Sequence, residues 1–137
     1  MTVAAVVVAI GLLVRPLAAE GPAVYTDWTT YHVEDGLPAN KVFCVAVDAE
    51  RVWVGTDHGL GLYEDGKWTT YTTEDGLAYD AVLSVAIDTV SGDVWAGTMG
   101  GLTRISGGKL TTYTQFDSGL PNDVVFGVAV ENQNVWT

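Results

Sequence analysis

Three near-copies of one segment, spaced about 40 residues apart, predict an all-β fold of four-stranded antiparallel blades, arranged as an incomplete β-propeller ring. The segment reads WTTYHVEDGL, WTTYTTEDGL and LTTYTQFDSGL in turn. The similarity continues through whole units, at 28–67, at 68–109 and in a shorter third unit at 110–137. In addition, no window of the sequence has the 3.6-residue period of an amphipathic helix.

Each complete unit contains four strand-like segments. The first is a continuous apolar run, at 42–48 and again at 82–88, and predicts an innermost strand that is buried on both faces. The second combines aromatic and β-branched residues, as in RVWVGT at 51–56, and we expect another part of the backbone to approach closely at Gly55 and Gly97. The third and fourth flank Asp65-Gly66 or Gly107-Gly108, which are typical of two-residue hairpin turns because both positions tolerate a positive φ.

Tryptophan recurs at a fixed place in the second segment, which predicts side chains that fill the space between neighbouring blades. The residues concerned are Trp53, Trp95 and Trp136. In the fourth segment, Trp68 and Tyr71 are three residues apart and therefore face opposite sides of a strand. That arrangement is natural for a blade that is packed on both faces.

A glycine before leucine recurs in the loop that follows each fourth segment, and it predicts a structural role. The glycines are Gly36, Gly76 and Gly119, where we expect backbone conformations closed to other residues. The preceding residues, Asp35, Asp75 and Ser118, are short and polar. We expect their side chains to hydrogen-bond the turn backbone rather than a ligand.

The N-terminus carries an unbroken apolar run at 3–14, typical of the core of a secretory signal peptide. The run is too short for a membrane span, which needs about 20 residues. We predict a signal peptide at 1–19, with an uncleaved anchor or a buried strand as alternatives, and a partial propeller at 20–137. The first two readings place the propeller outside the cytoplasm, in the periplasm or beyond.

Charge and composition exclude several partners. The chain has a formal net charge of -11, which argues against binding to nucleic acid or to anionic lipid, apart from any membrane contact of the N-terminal segment. The single cysteine, Cys44, cannot form an internal disulfide and lies in an apolar run, so we expect a small core residue. No zinc or haem spacing occurs, and we expect neither a metal nor a cofactor.

Residues 35–68, DGLPANKVFCVAVDAERVWVGTDHGLGLYEDGKW, resemble the two-component regulator propeller repeat. The shared features are a GLP-x-N loop, an apolar strand, an acidic residue and a W-x-GT-x-x-GL segment, and the resemblance extends over 28–137. The second and third units depart from it at Ala78, Asp80 and Asp123, and the third unit stops within its second strand. The family forms large rings, so the chain is expected to come from a truncated reading frame, with an oligomer of such fragments as the alternative.

The resemblance also implies a function and partners. It implies the input domain of a two-component sensor, often a hybrid histidine kinase that responds to glycans. The implied partners are a small-molecule or glycan ligand, the rest of the propeller and a downstream signalling domain.

Ligands usually bind propellers on the face formed by the loops between outer and next inner strands and between second and third strands. In this chain those loops supply nine candidate ligand-binding residues. They are Asn40, Lys41, Asp57, His58, Tyr79, Asp80, Met99, Asn122 and Asp123. Positions that differ between units are the stronger candidates, because scaffold positions should repeat and recognition positions need not.

Catalytic residues are not predicted. The chain has two histidines, and it lacks the G-x-S-x-G, H-E-x-x-H and phosphate-loop motifs. The sequence therefore favours a non-enzymatic, extracytoplasmic ligand-sensing module. The alternatives are an exported propeller enzyme of the lyase or lactonase type and a structural or protein-interaction scaffold.

Overall fold

The computed structural model describes residues 6–8 and 28–137, and it contains twelve strands. They are β1 Val6–Val8, β2 Thr29–Tyr31, β3 Val42–Asp48, β4 Arg51–Thr56, β5 Gly59–Glu64, β6 Lys67–Tyr71, β7 Val82–Ile87, β8 Val94–Thr98, β9 Gly101–Ser106, β10 Lys109–Tyr113, β11 Ala129–Glu131 and β12 Asn134–Trp136. Short 3-10 turns lie at Val33–Asp35 and Thr73–Asp75.

Two four-stranded antiparallel sheets form the centre of the molecule. Strands β3-β4-β5-β6 make blade 1, and β7-β8-β9-β10 make blade 2, each in simple meander order. Two-stranded sheets, β1-β2 and β11-β12, complete the described structure. The prediction of an all-β fold with four-stranded blades in an incomplete ring is confirmed.

The hairpins that join third and fourth strands have the predicted turns. Asp65 and Gly66 have φ values of 50° and 76°, and Gly107 and Gly108 have 55° and 81°. Two successive positive φ angles are those of a type I′ turn, whose twist matches that of the flanking strands.

The innermost strand of one blade crosses close to a glycine of the preceding blade. A Cβ added at Gly55 would lie 2.8 Å from the carbonyl oxygen of Val82, and one added at Gly97 would lie 2.8 Å from that of Val125. The repeated glycine therefore sets the spacing between blades, as the sequence predicts.

Apolar side chains of blades 1 and 2 share one core. Trp53 and Leu60 from blade 1 pack with Val82 and Val94 from blade 2, and all four are at most 2% exposed. Cys44 lies at the edge of this core, where burial raises the pKa of its thiol to about 11 and leaves it protonated at neutral pH.

The fourth strand of blade 1 is packed on both sides. Tyr71 stacks on Trp53 in the shared core, whereas Trp68 packs on the opposite face against Tyr31 and Tyr63. The alternation predicted from the three-residue spacing is therefore confirmed.

The prediction that the innermost strand is buried on both faces is correct for β7 and wrong for β3. Every residue of β7 is buried or half-buried. In β3, Phe43, Val45 and Val47 are 41%, 45% and 62% exposed. The reason is that blade 1 covers one face of β7, while the described residues place no innermost strand over the equivalent face of β3.

The third unit packs against blade 2 but forms less strand than its sequence predicts. Val125 is buried, and its N–H donates to the Thr98 carbonyl at 2.9 Å. The segment VFGVAVE at 125–131 aligns with the innermost strands of the two whole blades, but only Ala129–Glu131 of it forms a regular strand. Trp136, predicted to lie between blades, is 65% exposed, because the part of the chain that the structure describes has no blade on its far side.

At the other end, β2 pairs antiparallel with β1, and Val6 lies opposite Tyr31. Apart from β1, the predicted signal peptide at 1–19 lies outside the described residues and remains a prediction. Within the described ranges, no helix is long and apolar enough to cross a membrane.

Candidate ligand-binding site on the loop face

One edge of the blades, here called the loop face, carries two kinds of connection. Loops 32–41, 72–81 and 114–128 lead from an outer strand to the next innermost strand, and turns 57–58 and 99–100 join second to third strands. All nine candidate residues lie in these connections.

An aspartate closes the start of each long loop. The backbone N–H of His32 donates to Asp35 Oδ2 at 2.8 Å, and that of Thr72 donates to Asp75 Oδ2 at 2.9 Å. In the third loop Ser118 Oγ donates to the Thr114 carbonyl at 2.6 Å, so Ser118 bonds the turn backbone as predicted. Asp117 Oδ1 accepts from the Thr114 N–H at 2.8 Å, which is the bond that Asp35 and Asp75 make in the other loops, and the one-residue insertion in TQFDSGL explains why two residues share the task here.

A glycine with a positive φ follows Asp35, Asp75 and Ser118. The values are 105° at Gly36, 104° at Gly76 and 74° at Gly119. Gly36 also lies beneath the Trp68 side chain, since an added Cβ would approach its Cβ to 3.1 Å. The chain reverses here because glycine alone takes this conformation without strain.

Three of the candidate ligand residues hold the far end of the same loops. Asn40 Oδ1 accepts from the Val33 N–H at 3.1 Å, and Asp80 Oδ1 accepts from the Thr73 N–H at 2.8 Å. In the third loop, Asp123 Oδ1 accepts a 2.7 Å bond from the N–H of Gln115. Each therefore commits one oxygen to its loop and keeps its second polar atom for other contacts.

The turn between second and third strands is fixed by a buried threonine. Thr56 Oγ1 donates to the Gly59 carbonyl at 2.8 Å and accepts from the His58 N–H at 3.1 Å. Thr98 makes the same two bonds with Gly101 and Gly100. This role of the two threonines was not predicted, although their recurrence in GT-x-x-GL is the signal that could have identified it.

Four candidate residues of the first unit come together around one concavity. The Asp57 N–H donates to the Lys41 carbonyl at 3.3 Å, which draws the short turn onto the long loop. Between them lies an open concavity of about 340 Å³. Its lining consists of Val33, Pro38, Ala39, Asn40, Lys41, Asp57 and His58.

The concavity combines both signs of charge. His58 Nδ1 lies 2.9 Å from Asp57 Oδ1, and the His58 side chain is 74% exposed. Lys41 is exposed, and its Nζ lies 5.1 Å from the centroid of the Phe43 ring. The site therefore offers a cation, an imidazole, a carboxylate and the Asn40 amide within one opening, which is a set of donors and acceptors suited to a polar ligand.

In the second unit, the equivalent positions differ in a correlated way. Where the first unit has Ala39 and His58, the second has Tyr79 and Gly100. A Cβ at Gly100 would lie 3.0 Å from the Tyr79 Cβ and 3.2 Å from its ring. The Tyr79 ring therefore occupies the space that a side chain at position 100 would need, and the glycine there leaves that space free.

The remaining candidates lie on the same face, outside the concavity of the first unit. Tyr79 and Met99 are about half exposed, at 51% and 50%. Their loops are joined by a 3.2 Å bond from the Met99 N–H to the Ala81 carbonyl. In the third unit, Asn122 is exposed and its Oδ1 accepts from the Val124 N–H at 2.8 Å.

A larger groove, of about 710 Å³, opens on the opposite edge between the first turns of blades 1 and 2. Its carboxylates serve the turns that carry them. Asp48 pairs with Arg51, and Asp88 accepts from the Val90 N–H at 2.9 Å and from the Ser91 hydroxyl at 2.8 Å. These hydrogen bonds lower the pKa of Asp88. We therefore assign the candidate site to the loop face, although its concavity is the smaller one.

Within the described residues, no three His, Cys, Asp or Glu side chains are grouped so that they could hold a metal ion.

Comparison with known families and structures agrees with this architecture. Residues 36–58 match the family described as the two component regulator propeller, as the sequence resemblance implies. Comparison with curated proteins gave no match.

Two solved structures of the extracellular domain of BT4673 from B. thetaiotaomicron are similar to this chain. One is described as part of a hybrid two component system and the other as part of a one component system. Each superposes with a TM-score of 0.56 at 21% identity and covers 73% of this chain. The match spans 14% of the length of each solved structure. At this identity the similarity establishes the propeller fold.

Proposed function

We propose that this chain is a ligand-sensing, non-enzymatic module outside the cytoplasm. Its residues 36–58 match the two-component regulator propeller repeat. The single observation that carries this proposal is the concavity of the loop face that gathers Asn40, Lys41, Asp57 and His58. The description of the similar structures as extracellular domains of a signalling system supports the location and the sensing role.

The side chains of the concavity favour a hydroxyl-rich ligand such as an oligosaccharide. Each sugar hydroxyl both donates and accepts hydrogen bonds, and the opening presents donors from Lys41 and Asn40 beside the acceptor oxygens of Asp57. The mixed charge at the opening also suits a neutral ligand, because the Asp57 carboxylate compensates the Lys41 ammonium locally. On this proposal, further blades complete the ring, and a downstream signalling domain receives the signal.

Binding of oligosaccharides to the 137-residue chain tests the proposal. A thermal-shift panel of neutral and acidic oligosaccharides would identify a ligand, and calorimetry would give its Kd. We expect Lys41→Ala and His58→Ala each to weaken binding by about tenfold, which corresponds to about 1.4 kcal/mol. Lys67→Ala is the matched control, because Lys67 is exposed at the hairpin of the opposite edge.

Two outcomes would contradict the proposal. One is that no oligosaccharide shifts the melting temperature, which would favour the scaffold alternative. The other is that a ligand binds, but that Lys41→Ala and His58→Ala affect its Kd no more than Lys67→Ala does.

A further inference from the structure

Two exchanges between the first and second units surround one residue of the loop face, Tyr79. Each exchange changes a residue of the long loop together with a residue of the hairpin that lies beside it. They are Pro38 and Gly61 against Ala78 and Thr103, and Ala39 and His58 against Tyr79 and Gly100. Two paired changes around one position suggest that the second loop is built to hold this side chain.

The first exchange replaces an apolar contact by a buried hydrogen bond. Pro38 has no N–H, and it packs on Gly61 so closely that an added Cβ there would lie 2.9 Å from Pro38 Cδ. In the second unit Ala78 restores the N–H, and Thr103 supplies its acceptor. The Ala78 N–H donates to Thr103 Oγ1 at 2.9 Å, and Thr103 is fully buried. The residue before Tyr79 is therefore fixed to the sheet.

Tyr79 is also constrained by its other neighbours. The next residue, Asp80, accepts a 2.8 Å bond from the Thr73 N–H, and one edge of the Tyr79 ring lies against Gly100. Tyr79 nevertheless remains 51% exposed, whereas Ala39 at the equivalent position is 8% exposed. The fold of a blade therefore does not require an exposed aromatic ring at this position, since the first unit folds without one.

Met99 extends the exposed apolar surface beside this ring. It precedes Gly100 in the turn, it is half exposed, and its N–H donates to the Ala81 carbonyl at 3.2 Å. Its long thioether side chain is apolar, polarisable and adaptable. Tyr79 and Met99 together form what we call the Tyr79 patch, an apolar counterpart to the polar pair of Asp57 and His58 in the first unit.

The Tyr79 patch and the polar concavity open on the same face of neighbouring blades. Strand β3 begins directly after Lys41, and β7 begins three residues after Tyr79. These two innermost strands lie side by side, with Cys44 Sγ 3.9 Å from the Val82 carbonyl oxygen. A ligand that extends from one blade to the next along the loop face would therefore meet the polar group first and the apolar patch second.

We propose that the Tyr79 patch is a second subsite, at which the Tyr79 ring stacks on the C–H face of a pyranose while a neighbouring sugar of the same oligosaccharide occupies the concavity. A pyranose carries its hydroxyl groups around the rim and C–H groups on its ring faces, so an aromatic side chain matches the part of the sugar that polar groups cannot bind. The inference rests on the proposed function and adds to it the ring type and a ligand longer than one subsite.

The anchoring of the loop explains how such a contact would gain affinity. A tyrosine offers a large, rigid area at little cost in conformational entropy, and a ring that is already held in place loses still less on binding. On this proposal Thr103 is a positioning residue, because it touches no ligand and acts through the Ala78 N–H.

Calorimetry with malto-, cello- and xylo-oligosaccharides, each as the disaccharide and the hexasaccharide, tests the second subsite. For a series that binds the parent chain, Tyr79→Ala should weaken binding of the hexasaccharide about tenfold and that of the disaccharide less than about twofold. Tyr79→Phe keeps the ring and should retain both affinities. Lys41→Ala should weaken both, and Val90→Ala, at an exposed valine of the opposite edge, should weaken neither.

Thr103→Val tests the positioning role, because it removes the acceptor and keeps the volume of the side chain. We expect it to weaken binding of the hexasaccharide about threefold with little effect on the disaccharide, and Thr103→Ser should restore the parent affinity. A purely structural role would change the two affinities alike, and Thr103→Ser would then offer no selective recovery.

The outcomes separate this inference from the sensing role. If Lys41→Ala weakens binding but Tyr79→Ala does not, the second subsite is wrong and the proposed function stands. An equal effect of Tyr79→Ala on disaccharide and hexasaccharide also overturns the subsite, because it would place Tyr79 beside the first sugar or in the fold alone. If none of the three series binds the parent chain, the sensing role fails and the second subsite fails with it.

Discussion

The indole ring of Trp53 stacks on the phenol ring of Tyr71, with centroids 5.9 Å apart and planes inclined by 24°. Blade 2 repeats the pair with Trp95 and Tyr113, at 5.8 Å and 28°. In each pair, the second strand supplies the tryptophan and the fourth strand supplies the tyrosine. Trp53 and Tyr71 form part of the surface of blade 1 on which blade 2 packs. The same pair therefore contributes to packing within blade 1 and to the contact between the two blades.

Trp53→Ala should be the most destabilising single substitution at this contact. The side chain is 2% exposed, and loss of a buried tryptophan costs about 3–5 kcal/mol through lost burial and the cavity left behind. Urea denaturation would measure the loss. Phe116→Ala is the control, because Phe116 is 88% exposed and should change the free energy of unfolding by less than about 0.5 kcal/mol. Equal effects of the two substitutions would contradict this assignment of the core.

Gly55→Ala should destabilise the chain by overpacking. The added Cβ would lie 2.4 Å from Cys44 Sγ and 2.8 Å from the Val82 carbonyl, so the two blades must move apart. We expect a cost of about 1–3 kcal/mol in the free energy of unfolding. The control is Gly127→Ala, where a Cβ meets nothing within 4 Å and the measured stability should not fall. A tolerated Gly55→Ala would show that the blades are not spaced by this glycine.

The repeat itself made much of the fold predictable. A fixed tryptophan, two hairpin turns with positive φ and a glycine at the crossing of blades each follow from local chemistry that recurs in the sequence. The exposure of β3 was not predictable, because the apolar pattern of Val45 and Val47 is the same as that of the covered β7. Burial depends on what lies over the strand, and the strand's own residues do not report it.

The candidate site was predictable in position but not in detail. Asn40, Lys41, Asp57 and His58 do meet at one concavity, because the topology brings their two loops to the same edge. That Asn40 holds its own loop was not predicted, since a polar side chain at a loop tip gives no local sign of the N–H it accepts. The role of Asp117 was missed because an insertion displaced the aligned position.

Acid should weaken the fold partly through Asp93. This carboxylate is 5% exposed. A hydrogen bond from Ser106 and one from Arg104 Nε at 2.8 Å lower its pKa. As the pH falls, the carboxylate is therefore protonated in the unfolded chain before it is protonated in the folded one. Its contribution is present above the ordinary aspartate pKa of about 4 and is lost as the pH falls through the lowered value. The free energy of unfolding, measured between about pH 5 and 2, should fall less steeply for Asp93→Asn than for the parent chain. An unchanged slope would contradict the role of this carboxylate.

Asp80 should contribute to stability through its bond to the Thr73 N–H, whatever else it contacts. That bond is 2.8 Å long, and Asn40 makes the equivalent bond in the first unit. Asp80→Ala leaves the N–H without its partner and should cost about 1 kcal/mol. Asp80→Asn retains an acceptor oxygen and should stay within about 0.5 kcal/mol of the parent. If both variants lose the same stability by urea denaturation, the charge rather than the hydrogen bond is what matters.

Gly100 and Tyr79 should be energetically coupled, because one leaves the space that the other fills. Gly100→His places a Cβ 3.2 Å from the Tyr79 ring, a contact that Tyr79→Ala removes, and should cost about 1–3 kcal/mol. Tyr79→Ala together with Gly100→His recreates the Ala39 and His58 pair of the first unit, and it should recover at least about 0.5 kcal/mol relative to additive effects.

A double-mutant cycle in urea measures this coupling, and Tyr79→Ala alone supplies the third corner. The same substitutions with Met99→Ala in place of Gly100→His form the control cycle, because Met99 is 50% exposed. If the Tyr79 and Gly100 cycle is as additive as the control, then the difference between the two units is not a matter of packing. In that case recognition of different ligand groups by His58 and Tyr79 becomes the better explanation of the exchange of bulk between these two positions.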